Sequence, residues 1–222
     1  MNLVLFDIDG TLVDSVGYES GLYGDAIDEV LDETVDRDWS RYRHVTDGGV
    51  LDEIIAARPR SLSADEIHQR VHDAFIGKLR AHFRNYPDAV REISGAVQLV
   101  DALRRRADCA VGIATGGWRA AAELKLAAIG VDTRQLEVAT GSDARARADI
   151  MRIAAERTLA ASPAAEQAPS RRIYFGDREW DQRACAELGF EFVAVGTAVE
   201  HPVRLPALAP LERVLSTLKL EG

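Results

Sequence analysis

The segment Leu3-Val4-Leu5-Phe6-Asp7-Ile8-Asp9-Gly10-Thr11-Leu12-Val13-Asp14-Ser15 decides how the rest of the chain is read. A continuous apolar run stopped by acids and a glycine predicts a strand buried on both faces, with a polar crevice at its C-terminal end. That edge is where ligands bind in α/β sheets. Side chains two apart along an extended segment point the same way, so Asp7 and Asp9 are expected to present two carboxyl groups at one mouth. Such groups repel unless a cation or a proton separates them. A hard cation such as magnesium suits the first, and a proton suits the second, making it an acid able to protonate a leaving oxygen. Gly10 permits a sharp turn, and Thr11 adds a hydroxyl and an amide to an anion site. A calcium loop is excluded, because Gly10 comes too early and no third acid follows at the right spacing. A strand end with no chemistry stays open on this segment alone.

The 222 residues suffice for one sizeable core and a smaller second unit. A formal net charge of -9 argues against a general nucleic-acid binder, which needs a basic face. No apolar run is long enough to span a bilayer, so no membrane partner is expected. With no basic-then-apolar leader at the N-terminus, a cytoplasmic address is the expectation. Cys109 and Cys185 show no C-x-x-C spacing and read as small structural thiols. Lysine is scarce: Lys78, Lys125 and Lys219 stand against 24 arginines.

After Ser15 the pattern becomes helical as far as Arg84, with apolar residues at helical spacing in three blocks (Ala26 to Leu31, Val50 to Ile55, Ile67 to Leu79). Ser63 and Glu66 form a capping-box signature ahead of the third. The polar stretch His44 to Gly49 between helices reads either as a connection or as a loop lowered onto a substrate. Beyond Pro87, strands and helices alternate: a helix from Ala96, a strand over Cys109 to Ala114, a helix from Ala120, and a short strand near Leu136 to Ala139. A helix opened by Gly141-Ser142-Asp143 and carrying Arg145 and Arg147 follows, then strands at Arg172 to Phe175 and Phe190 to Val195, then a C-terminal helix. Residues 161–170, poor in bulky apolar side chains, read as a mobile surface loop. The prediction is an α/β fold: a doubly wound, five-stranded parallel sheet formed by residues 1–15 and 86–222, with a helical cap over 16–85.

In such a sheet the strand ends share one edge, so Asp7 and Asp9, Thr115, and Asp177 with Asp181 can converge. Thr115-Gly116 offers a hydroxyl and a helix N-terminus to a phosphate. Gly176-Asp177 with Asp181 offers one direct and one supporting carboxylate to a cation. The D-x-D-G-T-L-V-D-S opening, the strand ending in Thr115 and the late G-D-x-x-x-D together resemble the haloacid dehalogenase-like hydrolase superfamily, in that family's order and over essentially the whole chain. The resemblance implies an α/β core with a helical cap and a magnesium-dependent phosphatase acting on a small phosphorylated metabolite. Asp7 would be the nucleophile and Asp9 the acid and base. Thr115, Gly116 and Gly117, with Gly10 and Thr11, would hold phosphoryl oxygens. Magnesium would be held by Asp7, Asp9, Asp177 and Asp181. Arg119, and Thr46 with Asp47 from the cap, would meet the substrate, and Trp118 would either do so or pack.

One departure stands out. The family's usual lysine before the fourth strand is missing, since no lysine lies between Lys125 and Lys219. Lys125, two turns into its helix, is expected to point away from the site. Arg145 or Arg147 is expected to replace it, because a permanent forked cation can pair a phosphoryl oxygen. A phosphomutase of the same family and a catalytically silent binding protein remain the alternatives. A signalling receiver module is disfavoured by the helical insertion. Oligomeric state is left open.

Overall fold

The computed structural model describes residues 1–163 and 168–220. Of the loop expected over 161–170, residues 164–167 lie outside the described residues.

The sheet forms because its strands are short apolar runs bounded by polar turns. They are β1 (Asn2–Phe6), β2 (Cys109–Ala114), β3 (Glu137–Ala139), β4 (Arg171–Gly176), β5 (Glu191–Val195) and β6 (Arg204–Leu205). All pair in parallel in the order β3-β2-β1-β4-β5-β6. The sheet thus has six strands where the sequence pattern predicts five. The sixth is two residues long, too short to carry a periodic signal, and it is held by pairing with Ala194 and Val195. Between β1 and β2 come α1 (Glu19–Leu31), α2 (Asp47–Ala56), α3 (Ala64–Asn85) and α4 (Ala96–Arg104). The remaining helices are α5 (Arg119–Ala128), α6 (Arg147–Ala160), α7 (Glu179–Leu188) and α8 (Leu211–Leu218). The capping box at Ser63 and Glu66 forms as the spacing predicts.

Alternation along β1 divides the core. Val4 and Phe6 face a layer holding residues of α4, α5 and α8, while Leu3 and Leu5 face residues of α6 and α7. A third apolar cluster joins α1, α2 and α3 to Trp118 and Ala121 at the start of α5. Trp118 is therefore packed, against Tyr23, Phe75 and His72, and is not free to meet a ligand. Strand order reverses between β1 and β4, where the amide of Asp7 donates to the carbonyl of Phe175 at 2.9 Å. Such a reversal opens a crevice beyond the strand ends.

Phe6 is fully buried and stacks on Phe175 with ring centroids 4.6 Å apart. Truncating Phe6→Ala removes a ring from the middle of the sheet and should cost about 3–5 kcal/mol, read as a lowered urea midpoint at unchanged slope. A loss below about 1 kcal/mol would show that this layer is not the tight core described.

Candidate active site

Asp7 follows β1 and Asp177 follows β4, the two strands that flank the reversal. Asp181 lies in the first turn of α7, and its carboxylate accepts the amide of Arg178 at 3.2 Å. All three acids are buried, and each offers an oxygen within 4.8 Å of the others. Gly10 sits at φ +75°, and a Cβ there would run into the Asp177 carboxylate. Only glycine lets the turn after β1 come this close.

Two arginines meet this cluster: Arg178, whose Nε lies 2.9 Å from Asp177 Oδ2, and Arg147. Arg147 Nη1 lies 3.2 Å from Asp7 Oδ1 and its Nε 3.4 Å from Asp181 Oδ1. It is the first residue of α6, which starts at Arg147 and not at Gly141-Ser142-Asp143 as the pattern suggested. The Asp143 carboxylate turns back to Thr140 and to two arginines, Arg119 and Arg157, and so closes a loop before the helix. Arg145 stays in that loop, half-exposed, with its Nε 2.6 Å from Asp52 on α2. The two candidate arginines thus part: Arg147 reaches the acids and Arg145 does not.

Burial and mutual repulsion dominate the ionisation here. Desolvation, then the charge on Asp7, pushes Asp177 up to about 8. Desolvation pushes Asp181 up to about 7 against the pull of Arg147. Asp7 is raised for the same first reason. Asp177 Oδ1 and Asp181 Oδ1 are buried without a hydrogen-bond donor. Unsatisfied carboxylate oxygens aimed into one space suit a hard divalent cation, which takes oxygen ligands and cancels the repulsion.

Asp9 behaves differently from its neighbour. Strand β1 ends at Phe6, and the carbonyl of Ile8 accepts the amides of Thr11, Leu12 and Val13, so the chain coils instead of continuing extended. The equal facing of Asp7 and Asp9 expected from a period of two does not arise. Asp9 turns to α5, where Lys125 Nζ lies 2.7 Å from both carboxylate oxygens, and Ser15 Oγ donates to Oδ1 at 2.6 Å. Asp9 is therefore outside the acid cluster that could hold a cation. Lys125 is fully buried and also contacts Glu19 of α1. Burial alone would favour its neutral form, but Asp9 and Glu19 outweigh this and raise its pKa above the ordinary lysine value. Lys125 thus points toward the site, contrary to expectation. Distance counted along the helix misleads, because helical side chains lean toward the N-terminus and Asp9 lies on the coiled turn beneath α5.

Asp7, Asp9, Glu19, Arg147 and Asp177 line a cavity of about 420 Å³, a size that suits a small ligand. Its inner wall includes Asp7, Asp9, Thr115, Gly116, Gly117, Arg147 and Asp177, and its outer wall includes Trp39, Arg37, Arg178 and Trp180. Thr46 and Asp47 border it as well. Thr46 caps α2, and its hydroxyl donates to the carbonyl of Arg145 at 2.8 Å. The Asp47 amide donates to Gly116 O at 3.0 Å, and its carboxylate accepts the Trp118 amide at 2.7 Å. Gly10 and Thr11 do not line the cavity, and neither does Arg119, whose guanidinium binds Asp143 and Val138 O. No sequence signal pointed to the pairing of Asp9 with Lys125. The one available hint was a lysine on the otherwise apolar face of α5 that carries Ala121, Ala122 and Leu126.

A model of the haloacid dehalogenase-like hydrolases matches residues 1–189. No curated protein matches the chain. Among solved structures, CbbY from Rhodobacter sphaeroides in complex with phosphate is similar at 19% identity and TM-score 0.70, over 94% of this chain and 95% of that one. A hydrolase from Pseudomonas syringae is similar at 20% identity and TM-score 0.70, over 96% and 99%. A hydrolase of the same superfamily from Entamoeba histolytica reaches 14% identity and TM-score 0.68, over 99% and 100%. At these identities the likeness concerns the fold. Among the described residues, no helix is long and apolar enough to cross a membrane.

The raised carboxylates set a sign for stability. An acid whose folded pKa exceeds its unfolded value of about 4 stabilises fully below that value and loses the contribution as pH rises through the folded pKa. Asp181 at about 7 and Asp177 at about 8, with Asp47 at about 6 and Glu19 at about 8, all act in this sense. The Tm of chelator-treated protein should therefore fall between pH 5 and pH 9. A divalent cation taken up by these acids should raise Tm more at pH 8 than at pH 6, since carboxylate ligands must be deprotonated, and Asp177→Asn should flatten the fall. A chelated protein whose Tm rises across this window would contradict the assignment.

Proposed function

The chain belongs to the haloacid dehalogenase-like hydrolase family, and from that premise we propose that it is a magnesium-dependent phosphomonoester hydrolase, acting on a small phosphorylated metabolite through an aspartyl-phosphate. The observation that carries this reading is Asp7, paired with Arg147 and set within 4.8 Å of carboxylate oxygens of Asp177 and Asp181, each of which keeps one oxygen without a hydrogen bond. Residues 1–15 and 86–222 serve as the catalytic core, and residues 16–85 as a helical cap over the cavity.

Asp7, Asp177 and Asp181 would hold the magnesium, which when bound would neutralise the acids and shield the phosphoryl oxygens. In the first step an Asp7 oxygen attacks phosphorus and the bond to the leaving oxygen breaks, while Asp9 gives that oxygen a proton. In the second step Asp9 takes a proton from water as the water oxygen attacks phosphorus. The bond to Asp7 breaks, and free phosphate leaves. Splitting the hydrolysis this way replaces one hard displacement by two easier ones. Arg147 pairs a phosphoryl oxygen as the family's lysine would, so the missing lysine gives no ground for a silent protein. Thr115 and the amides of Gly116 and Gly117, just before α5, receive the remaining phosphoryl oxygens, helped by the helix N-terminus. Asp47 brings the cap against this turn, and Thr46 joins it to the loop before α6.

The substrate is small because the cavity is small and bounded by the cap. A variant of CbbY has been solved in complex with xylulose-(1,5)bisphosphate, at 19% identity, TM-score 0.70, and coverage of 94% of this chain and 95% of that one. Sugar phosphates are therefore the first esters to try. The net charge of -9 makes a nucleic-acid substrate a poor match.

Asp7→Asn should lower phosphate release from a panel of phosphorylated sugars, glycolate and nucleotides by at least about three orders of magnitude. Undiminished turnover would remove Asp7 as nucleophile. Arg147→Met should lower kcat/KM by about 10²-fold or more, the cost of losing one charge-stabilising donor, while Arg145→Met should cost less than about tenfold. The reverse ranking would transfer the lysine's role to Arg145.

A further inference from the structure

Lys125 is the one fully buried cation of α5, and it does not line the cavity. A lysine on a packed helix face is expensive unless its ammonium is paired, and breaking such a pair from one side leaves a bare buried charge. Here the three ammonium hydrogens meet Asp9 Oδ1 and Oδ2, each at 2.7 Å, and Glu19 Oε1. Ser15 Oγ adds a fourth contact, on Asp9 Oδ1 at 2.6 Å. Both oxygens of the Asp9 carboxylate are thus held by the Lys125 ammonium while Asp9 still borders the cavity. Its neighbour Asp7 is gripped from the opposite helix layer, by Arg147 of α6.

We propose that Lys125 is a positioning residue that aims the Asp9 carboxylate at the leaving oxygen and keeps it out of the cation-holding cluster, dividing the labour of the two aspartates. The proposal rests on the phosphatase reading above for the meaning of "leaving oxygen", but the separation of Asp9 from the cluster is a matter of geometry. Asp7 and Asp9 are only two positions apart in the chain. Without an opposing ammonium, Asp9 could swing in as a fourth ligand and cease to serve the ester oxygen. Glu19, on the first helix of the 16–85 insertion, braces the same ammonium from the cap side. Lys125 therefore ties the acid's position to the seating of α1 on the core.

The test is Lys125→Met, which keeps length and apolar bulk but removes the charge. A general acid contributes about 10²–10⁴-fold, and only where the leaving oxygen needs a proton. The variant should therefore lose about 10²-fold or more in kcat on an alkyl phosphate and less than about tenfold on 4-nitrophenyl phosphate, with KM little changed on either. A purely structural role would lower both esters together, and that result, or no loss on either, would overturn the proposal. Should Lys125→Met not fold, Ser15→Ala, a change of one oxygen, should show the same ester selectivity in weaker form, and equal losses on the two esters would count against the clamp.

A second readout separates this inference from the phosphatase reading. In a crystal structure of Lys125→Met soaked with magnesium, the Asp9 carboxylate should have left its wild-type position and turned toward Asp7 and Asp177. An unmoved Asp9 would overturn the positioning role even if the wild type hydrolyses every ester offered. Wild type inactive on all esters, with Asp9 displaced in the variant, would instead sink the phosphatase reading and leave the clamp standing.

Discussion

Three buried carboxylates, brought within 4.8 Å of one another, are what the rest of this structure has to accommodate. In water Asp7, Asp177 and Asp181 would each be ionised at neutral pH; here burial and mutual charge raise all three. The fold provides two permanent countercharges: Arg147, set at the start of α6 so that its guanidinium reaches both Asp7 and Asp181, and Arg178, whose Nε lies 2.9 Å from Asp177 Oδ2. Two arginines do not balance three acids, and two carboxylate oxygens remain without a hydrogen-bond donor. The imbalance is the physical signature of a site built to take up further positive charge, and the positive-φ turn at Gly10 lets the Asp177 carboxylate approach.

The second constraint is that the two aspartates of the opening motif are served by opposite layers of the molecule. Asp7 is paired from the α6 side and Asp9 from the α5 side. Residues so close in sequence are separated because the chain leaves the strand at Phe6 and coils on the carbonyl of Ile8. Differential pairing turns two chemically identical groups into groups with different surroundings, the usual way for one site to carry distinct carboxylate roles. The helical insertion takes part through Glu19 on Lys125 and through Asp47 on the Gly116-Gly117-Trp118 turn. The partner of Asp9 and the turn after β2 are thus both in contact with the same inserted unit.

Much of this was legible in the residues alone, for reasons that can be named. Buried parallel strands are continuous apolar runs, so β1, β2, β4 and β5 could be placed nearly to the residue, and alternation with helices implied a doubly wound sheet whose strand ends converge. That convergence brought Asp7, Thr115 and Asp177 to one edge before any distance was known. The helical insertion followed from spacing, and the start of α3 from the Ser63 and Glu66 cap. These are local properties: periodicity, apolarity and turn chemistry act within a few residues, and a linear reading samples that range.

What only the tertiary structure decided is which distant charge meets which. Arg147 and Arg145 are two residues apart and alike in the sequence, and the Asp143 loop alone sends one to Asp7 and the other to Asp52. Lys125 looked remote when measured along its own helix, yet it closes on Asp9 across 116 positions of chain, because α5 lies above the coiled turn after β1. The two-residue β6 exists only because β5 offers it an edge. Amino-acid order determined the elements and the end of the sheet where they meet. The direction of each buried side chain is set by packing and by pairing of charge in a low dielectric, interactions that exist only once the chain has folded.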